Sequence, residues 1–184
     1  MKYILSLLIL FLTNYNFAQS KYLTKTGTVI FEASVPSFEE VKGKNTNTTA
    51  ILNSENGDFA ALVLVKGFRF KNALMEEHFN ENYAESDDFP KGIFKGTFDN
   101  FSMNKLSSKP IEIIYNGSLS FHGETKQLSN KKLNISINKE NVISISGEFI
   151  VNVSDFKIDI PKIVSNKLSR EVKVYFDFQL EKTN

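Results

Sequence analysis

His78 and His122 are the only histidines in the chain, and there is no cysteine. His78 and Glu81 have the i, i+3 spacing that lets two side chains on one helical face share a metal. A structural or catalytic metal needs more ligands than that, and the chain offers no second such pair and no thiolate. His122 precedes Gly123 at the expected end of a strand, where a structural hydrogen bond is the expected role. The acidic set Glu76, Glu77, Glu81, Glu85, Asp87 and Asp88 could in principle supply paired carboxylates. Its spacing instead describes a solvated helix face followed by an acidic turn, and acid–base work would need neighbours that push two pKa values apart. There is no glycine-rich phosphate loop and no G-x-S-x-G elbow. We therefore expect no catalytic residue, no bound metal and no cofactor.

The elements around these residues are one short helix and a series of strands. After Asn72, which can cap a helix, Leu74 and His78 step by four, as do Met75, Phe79 and Tyr83. The segment Ser86-Asp87-Asp88-Phe89-Pro90 ends that helix. Most of the remaining chain alternates with period two. Val29, Phe31, Ala33 and Val35 share one face. A weaker, polar segment covers about 41–52, and Asn56-Gly57-Asp58 signals a turn. Residues 59–70 are strand-like, with Leu62, Leu64, Phe68 and Phe70 on one parity and Lys66 as the exception. Phe94, Gly96 and Phe98 alternate, as do Tyr115, Gly117, Leu119 and Phe121. Leu133, Ile135 and Ile137 follow, and Ile143, Ile145, Phe149, Val151 and Val153 continue the habit. Val172, Val174, Phe176, Phe178 and Leu180 form the cleanest set. A second short helix or turn is expected near 161–166. About eight strands, each with one apolar face, make an all-β chain with antiparallel pairing. A sandwich or a closed barrel satisfies the pattern, and a barrel removes the exposed edges.

Composition excludes other classes. Lys2 is followed by a mostly apolar run over residues 3–12 and then Phe17-Ala18-Gln19, which has the form of a secretory signal peptide cut after Ala18. The apolar run is too short to span a membrane. The expected organisation is a leader over 1–18 and one domain over 19–184, in the periplasm or outside the cell, with no transmembrane anchor. Basic and acidic residues number 22 and 21, so no charge excess favours nucleic acid. Phenylalanine occurs 17 times and tryptophan not at all. Nothing in the chain specifies an oligomeric state.

Three blocks carry a resemblance. The first is Phe68-x-Phe70, Ala73-Leu74-Met75-Glu76-Glu77-His78-Phe79, Asn80-Glu81-Asn82-Tyr83, Glu85-Ser86-Asp87, Phe89-Pro90-Lys91 and Phe94-Lys95-Gly96. The second is Gly117-x-Leu119-x-Phe121-His122-Gly123-x-Thr125, and the third is Ser154-Asp155-Phe156-Lys157-Ile158 with Ile160-Pro161. In order and spacing they resemble the YceI-like family of lipid-binding proteins. The resemblance implies an eight-stranded antiparallel lipocalin-like barrel with one short helix between central strands. It further implies a carrier for a long-chain isoprenoid or other amphiphilic lipid. The expected ligand-binding wall is Phe68, Phe70, Leu74, Met75, Phe79, Phe94, Phe98, Leu119 and Phe121; the helix stripe is expected to pack against the sheet, with a lid over one barrel mouth as the functional alternative. Phe68, Phe70, Phe94, Phe98 and Phe121 are core residues first. His122 or Tyr115 could orient a head group near a mouth. The alternatives are a sealed, ligand-free barrel acting in stress response or protein interaction, and, more remotely, an enzyme acting on a lipid. The N-terminal block over 22–52 matches the family pattern poorly, and no wall residue is assigned there.

Overall fold

The computed structural model describes residues 20–36 and 38–183. The expected leader over residues 1–18 lies outside them. Eight antiparallel strands close into one barrel in sequence order: β1 (Lys21–Ser34), β2 (Lys42–Asn53), β3 (Asp58–Leu64), β4 (Lys91–Phe98), β5 (Ile111–Phe121), β6 (Glu124–Ile137), β7 (Ile143–Asn152) and β8 (Leu168–Lys182). Helix α1 (Ala73–His78) and a π-helical turn over Phe79–Tyr83 lie between β3 and β4. β1 pairs with β8, for example Val29 opposite Phe176, so no strand edge is left open.

The inward faces follow the alternation with local exceptions. On β5 the inward set runs Ile111, Ile113, Tyr115, Gly117, Leu119, Phe121, and on β8 it runs Val172 to Leu180 in steps of two. β1 and β6 each change parity midway. Tyr22 and Thr24 face in, then a bulge between Thr24 and Gly27 puts Gly27, Val29, Phe31 and Ala33 on the same side. On β6 an extra residue between Leu128 and Lys131 places both Leu128 and Leu133 inward. Asn130 takes a left-handed φ of 53° there, and its N–H donates to Asn116 Oδ1 at 2.8 Å.

The structure corrects the reading of residues 59–70. The strand stops at Leu64, and its inward parity is Phe59, Ala61 and Val63. Leu64 is 53 % exposed. A 3-10 turn over Val65–Gly67 then resets the chain so that Phe68 is buried. Asn45, itself buried, holds that turn by donating from Nδ2 to Leu64 O at 3.0 Å. The segment near 161–166 is a series of turns, and a 3-10 helix over Val153–Phe156 takes up the end of the expected β7.

One half of the barrel is solid. Tyr22, Leu52, Phe59, Phe98, Tyr115, Leu133, Ile135, Ile143, Ile145, Phe178 and Leu180 pack into one buried cluster. Burying a side chain of this size contributes about 1.5–3 kcal/mol. This end of the barrel therefore carries much of the stability and closes the interior.

Candidate functional site

Above the solid cluster the barrel is hollow. A cavity of about 600 Å³ opens between α1, the β1–β2 loop and the β7–β8 connection. Thr48, Phe59, Phe98, Tyr115, Leu133 and Phe178 form its floor. Inward residues farther from the solid cluster form its wall, among them Ala61 and Val63 on β3, Phe94 on β4, Leu119 and Phe121 on β5, Phe149 and Val151 on β7, and Val174 and Phe176 on β8. The lining is almost wholly apolar up to the rim, where Glu39, His78, Tyr83, Asn152, Lys167 and Ser169 appear.

Glycines keep this lumen wide. Gly96 and Gly117 face each other across β4 and β5, and the Phe94 ring lies over both, 2.6 Å from where either Cβ would stand. Phe176 covers Gly147 at 2.7 Å in the same way, and Phe31 covers Gly43 at 2.5 Å. Each ring is folded down onto the wall where a side chain would otherwise stand. These three phenylalanines thus line the hollow instead of filling it.

The mouth is built by an aromatic cluster. Phe79 of the helical segment meets Phe31 at 5.0 Å, Phe70 at 5.2 Å and Phe68 at 5.8 Å between ring centroids. Such pairs each contribute about 0.5–1.5 kcal/mol beyond area burial. The Asn72 side chain caps α1 by accepting from Leu74 N at 2.9 Å. Glu76 clamps the helix to the preceding chain, pairing with Arg69 Nη1 at 2.9 Å and accepting from Phe70 N at 3.1 Å. The helix is thereby fixed over one side of the opening, with Met75, His78, Phe79 and Tyr83 on the lumen side.

Of the nine residues expected to form the wall, eight line the cavity: Phe68, Phe70, Met75, Phe79, Phe94, Phe98, Leu119 and Phe121. Leu74 does not. It is 56 % exposed and lies outside the lining, because the stripe that turns inward is Met75, Phe79 and Tyr83. Residues not assigned beforehand include Val29, Phe31 and Ala33 on β1, Phe149 on β7, and Val174 and Phe176 on β8. Their alternation was the available signal.

Besides those at the rim, the polar groups of interest lie at the floor or outside the cavity. Tyr115 lies at the floor, not near the mouth, and is 2 % exposed. Its hydroxyl and that of Thr48 have no hydrogen-bond partner among the described residues. His122 is not part of the lining. Its Nδ1 lies 2.9 Å from Phe156 O, so Nδ1 carries the proton and donates to the carbonyl. The Phe89 ring packs on it in a tilted arrangement with centroids 4.6 Å apart, and Glu85 stands 3.5 Å from Nε2. This arrangement joins the end of the helical segment to the β7–β8 connection. Nearby, Lys126 donates to Asp155 at 2.7 Å and, with the Asn152 N–H, holds that carboxyl below its ordinary pKa. No three His, Asp or Glu side chains converge among the described residues.

The comparisons place this architecture among known proteins. The profile of the YceI-like domain matches residues 21–180. A polyisoprenoid binding domain from Saccharophagus degradans, implicated in plant cell wall breakdown, superposes with a TM-score of 0.77 at 13 % identity, covering 89 % of this chain and 98 % of that one. BcnA from Burkholderia cenocepacia gives 0.64 at 10 % identity, with 84 % and 96 % covered. A YceI protein from Campylobacter jejuni gives 0.57 at 12 % identity, with 82 % and 89 % covered. No curated protein matches the sequence. At these identities the structural likeness concerns the fold.

Proposed function

Because the chain belongs to the family of YceI-like domains, we propose that it is a non-catalytic carrier holding a long-chain apolar lipid, isoprenoid-like, inside its barrel. The observation that carries this reading is the hollow of about 600 Å³ above a closed floor. Small-molecule sites commonly enclose about 300–1,000 Å³ and are mostly apolar. The polyisoprenoid-binding domain from Saccharophagus degradans has the same fold and supports the same ligand class.

The mechanism is desolvation. Each methylene taken out of water and laid against Phe, Leu and Val side chains contributes about 0.8 kcal/mol. A chain lying along the barrel axis exploits that gain over several methylenes, whereas water in the same space finds few polar partners. The opening at one end allows entry without unfolding the sheet. The leader-like residues 1–18 support a place in the periplasm or outside the cell. No helix among the described residues is long and apolar enough to cross a membrane. A sealed barrel acting through its surface would need a lumen filled by its own side chains, and the rings folded onto glycines leave it open instead.

Titration of delipidated protein with a fluorescent isoprenoid analogue tests the reading. Saturable uptake of one probe per chain, with emission shifted as in an apolar solvent, is expected. Absence of saturable uptake by folded protein would overturn it.

A further inference from the structure

We propose that Phe59, Phe98 and Phe178 form a stop that limits how much of a lipid chain the barrel takes, to about twenty carbons. The inference rests on the carrier reading and narrows the ligand to chains that bury about four isoprene units.

The stop is made of packed rings. Phe59 stacks on Phe98 at 5.2 Å and meets Phe178 at 5.8 Å, and Phe178 stacks on Phe176 at 5.6 Å. All of these rings line the cavity. Phe98 is backed by Phe101 at 6.0 Å, which does not line it. Below and beside the rings, Leu52, Ile135, Ile143, Ile145 and Leu180 are at most 1 % exposed, and none of them reaches the cavity. Interiors packed this closely do not open for an added methylene without strain. A chain end that enters at the mouth therefore halts at the rings and does not run on through the barrel.

Height and volume set the capacity. Val172 pairs with Val151, next to the rim residue Asn152. From Phe178 to Val172, β8 climbs about 20 Å along the strand, or about 15 Å along the axis at the usual tilt. An extended chain advances about 1.25 Å per bond, so about twelve carbons span that height. The hollow measures about 600 Å³. A methylene displaces about as much volume as a water, about 30 Å³, so about twenty fit. The lumen is thus wider than a straight chain needs, and side methyls use the extra width. Any continuation of the chain past the rim stays in water and adds nothing to affinity. Just above the stop, Ala61 keeps the lumen open: it is the next inward residue after Phe59, opposite Phe94.

Isoprenoid alcohols of ten, fifteen, twenty and thirty carbons share one head and differ only in chain, and each is used to displace a fluorescent apolar probe. With wild-type protein, affinity should rise at least about ten-fold with each added isoprene unit up to twenty carbons, then change by less than about three-fold to thirty. Ala61→Phe puts a ring into the hollow and removes space for about three or four carbons, so the plateau should begin at about fifteen. Val63→Phe, one inward step higher, should do the same and replaces Ala61→Phe should that variant not fold. Saturable uptake of the ten-carbon alcohol reports that the lumen of a variant persists. A ten-fold or greater gain from twenty to thirty carbons in wild type would overturn the proposal, because the chain then passes the rings, and would leave the carrier intact. A plateau that stays at twenty carbons in a folded variant would overturn it as well. Failure of wild type to bind any of the four alcohols would sink the carrier reading, and the stop with it.

Discussion

Replacing Phe59 by alanine should lower the free energy of unfolding by about 4 kcal/mol, as read from chemical denaturation followed by circular dichroism. Phe59 is 5 % exposed and belongs to the floor. Its ring meets Phe98 at 5.2 Å, Phe178 at 5.8 Å and Phe94 at 6.1 Å. Truncation removes the transfer free energy of the ring and leaves a void, and Phe→Ala changes of this kind cost about 3–5 kcal/mol. A domain is stable by only about 5–15 kcal/mol in total. The loss should therefore also broaden or abolish the thermal transition. Leu119→Ala at the wall provides the contrast. One side of Leu119 already faces empty space, so fewer contacts disappear, and about 1–2 kcal/mol is expected. Equal losses at the two positions would contradict the division of the barrel into a solid half and a hollow half.

The second large effect concerns binding. Val174→Asp should leave the protein folded and weaken lipid uptake by at least about 100-fold, close to 2.7 kcal/mol. Val174 lines the wall, paired across strands with Phe149 on β7 and Phe31 on β1. In the empty barrel a carboxylate at this position can keep water around it. An apolar chain entering the lumen must strip that water, and dehydrating a charge costs several kcal/mol. Val174→Leu keeps the surface apolar and should retain most of the affinity. Phe98 is a poorer site for this experiment, because at 2 % exposure in the floor its loss would undermine the fold itself. A folded Val174→Asp protein with wild-type affinity would place the lipid elsewhere.

The outline of the barrel was legible where strands are long and have one clearly apolar face. β5 and β8 gave their inward sets directly. β3 did not, and the reason is the size of its inward residues. Its inward residues include the small Ala61, which leaves room in the lumen, while the larger Leu62 and Leu64 point outward. A hydrophobicity-weighted alternation therefore favours the wrong face. β1 and β6 hide their continuity because bulges at residues 24–27 and 128–131 change parity partway along. The helical stripe was legible through Met75, Phe79 and Tyr83. Leu74, one residue away from that line, was not distinguishable by step size alone. The depth of Tyr115 was hidden for a different reason. Alternation tells which face a residue takes, but its height in the barrel depends on how eight strands are staggered on closure. Only the closed sheet puts Tyr115 level with Phe98, directly across the β4–β5 pairing, and so at the floor.

The central claim is that the hollow holds a lipid, and its most direct test is mass spectrometry of an organic extract of the protein purified under native conditions. One long-chain, isoprenoid-like lipid per chain is the expected result. Repeated extracts without lipid, together with no uptake of added isoprenoid by the folded protein, would contradict it.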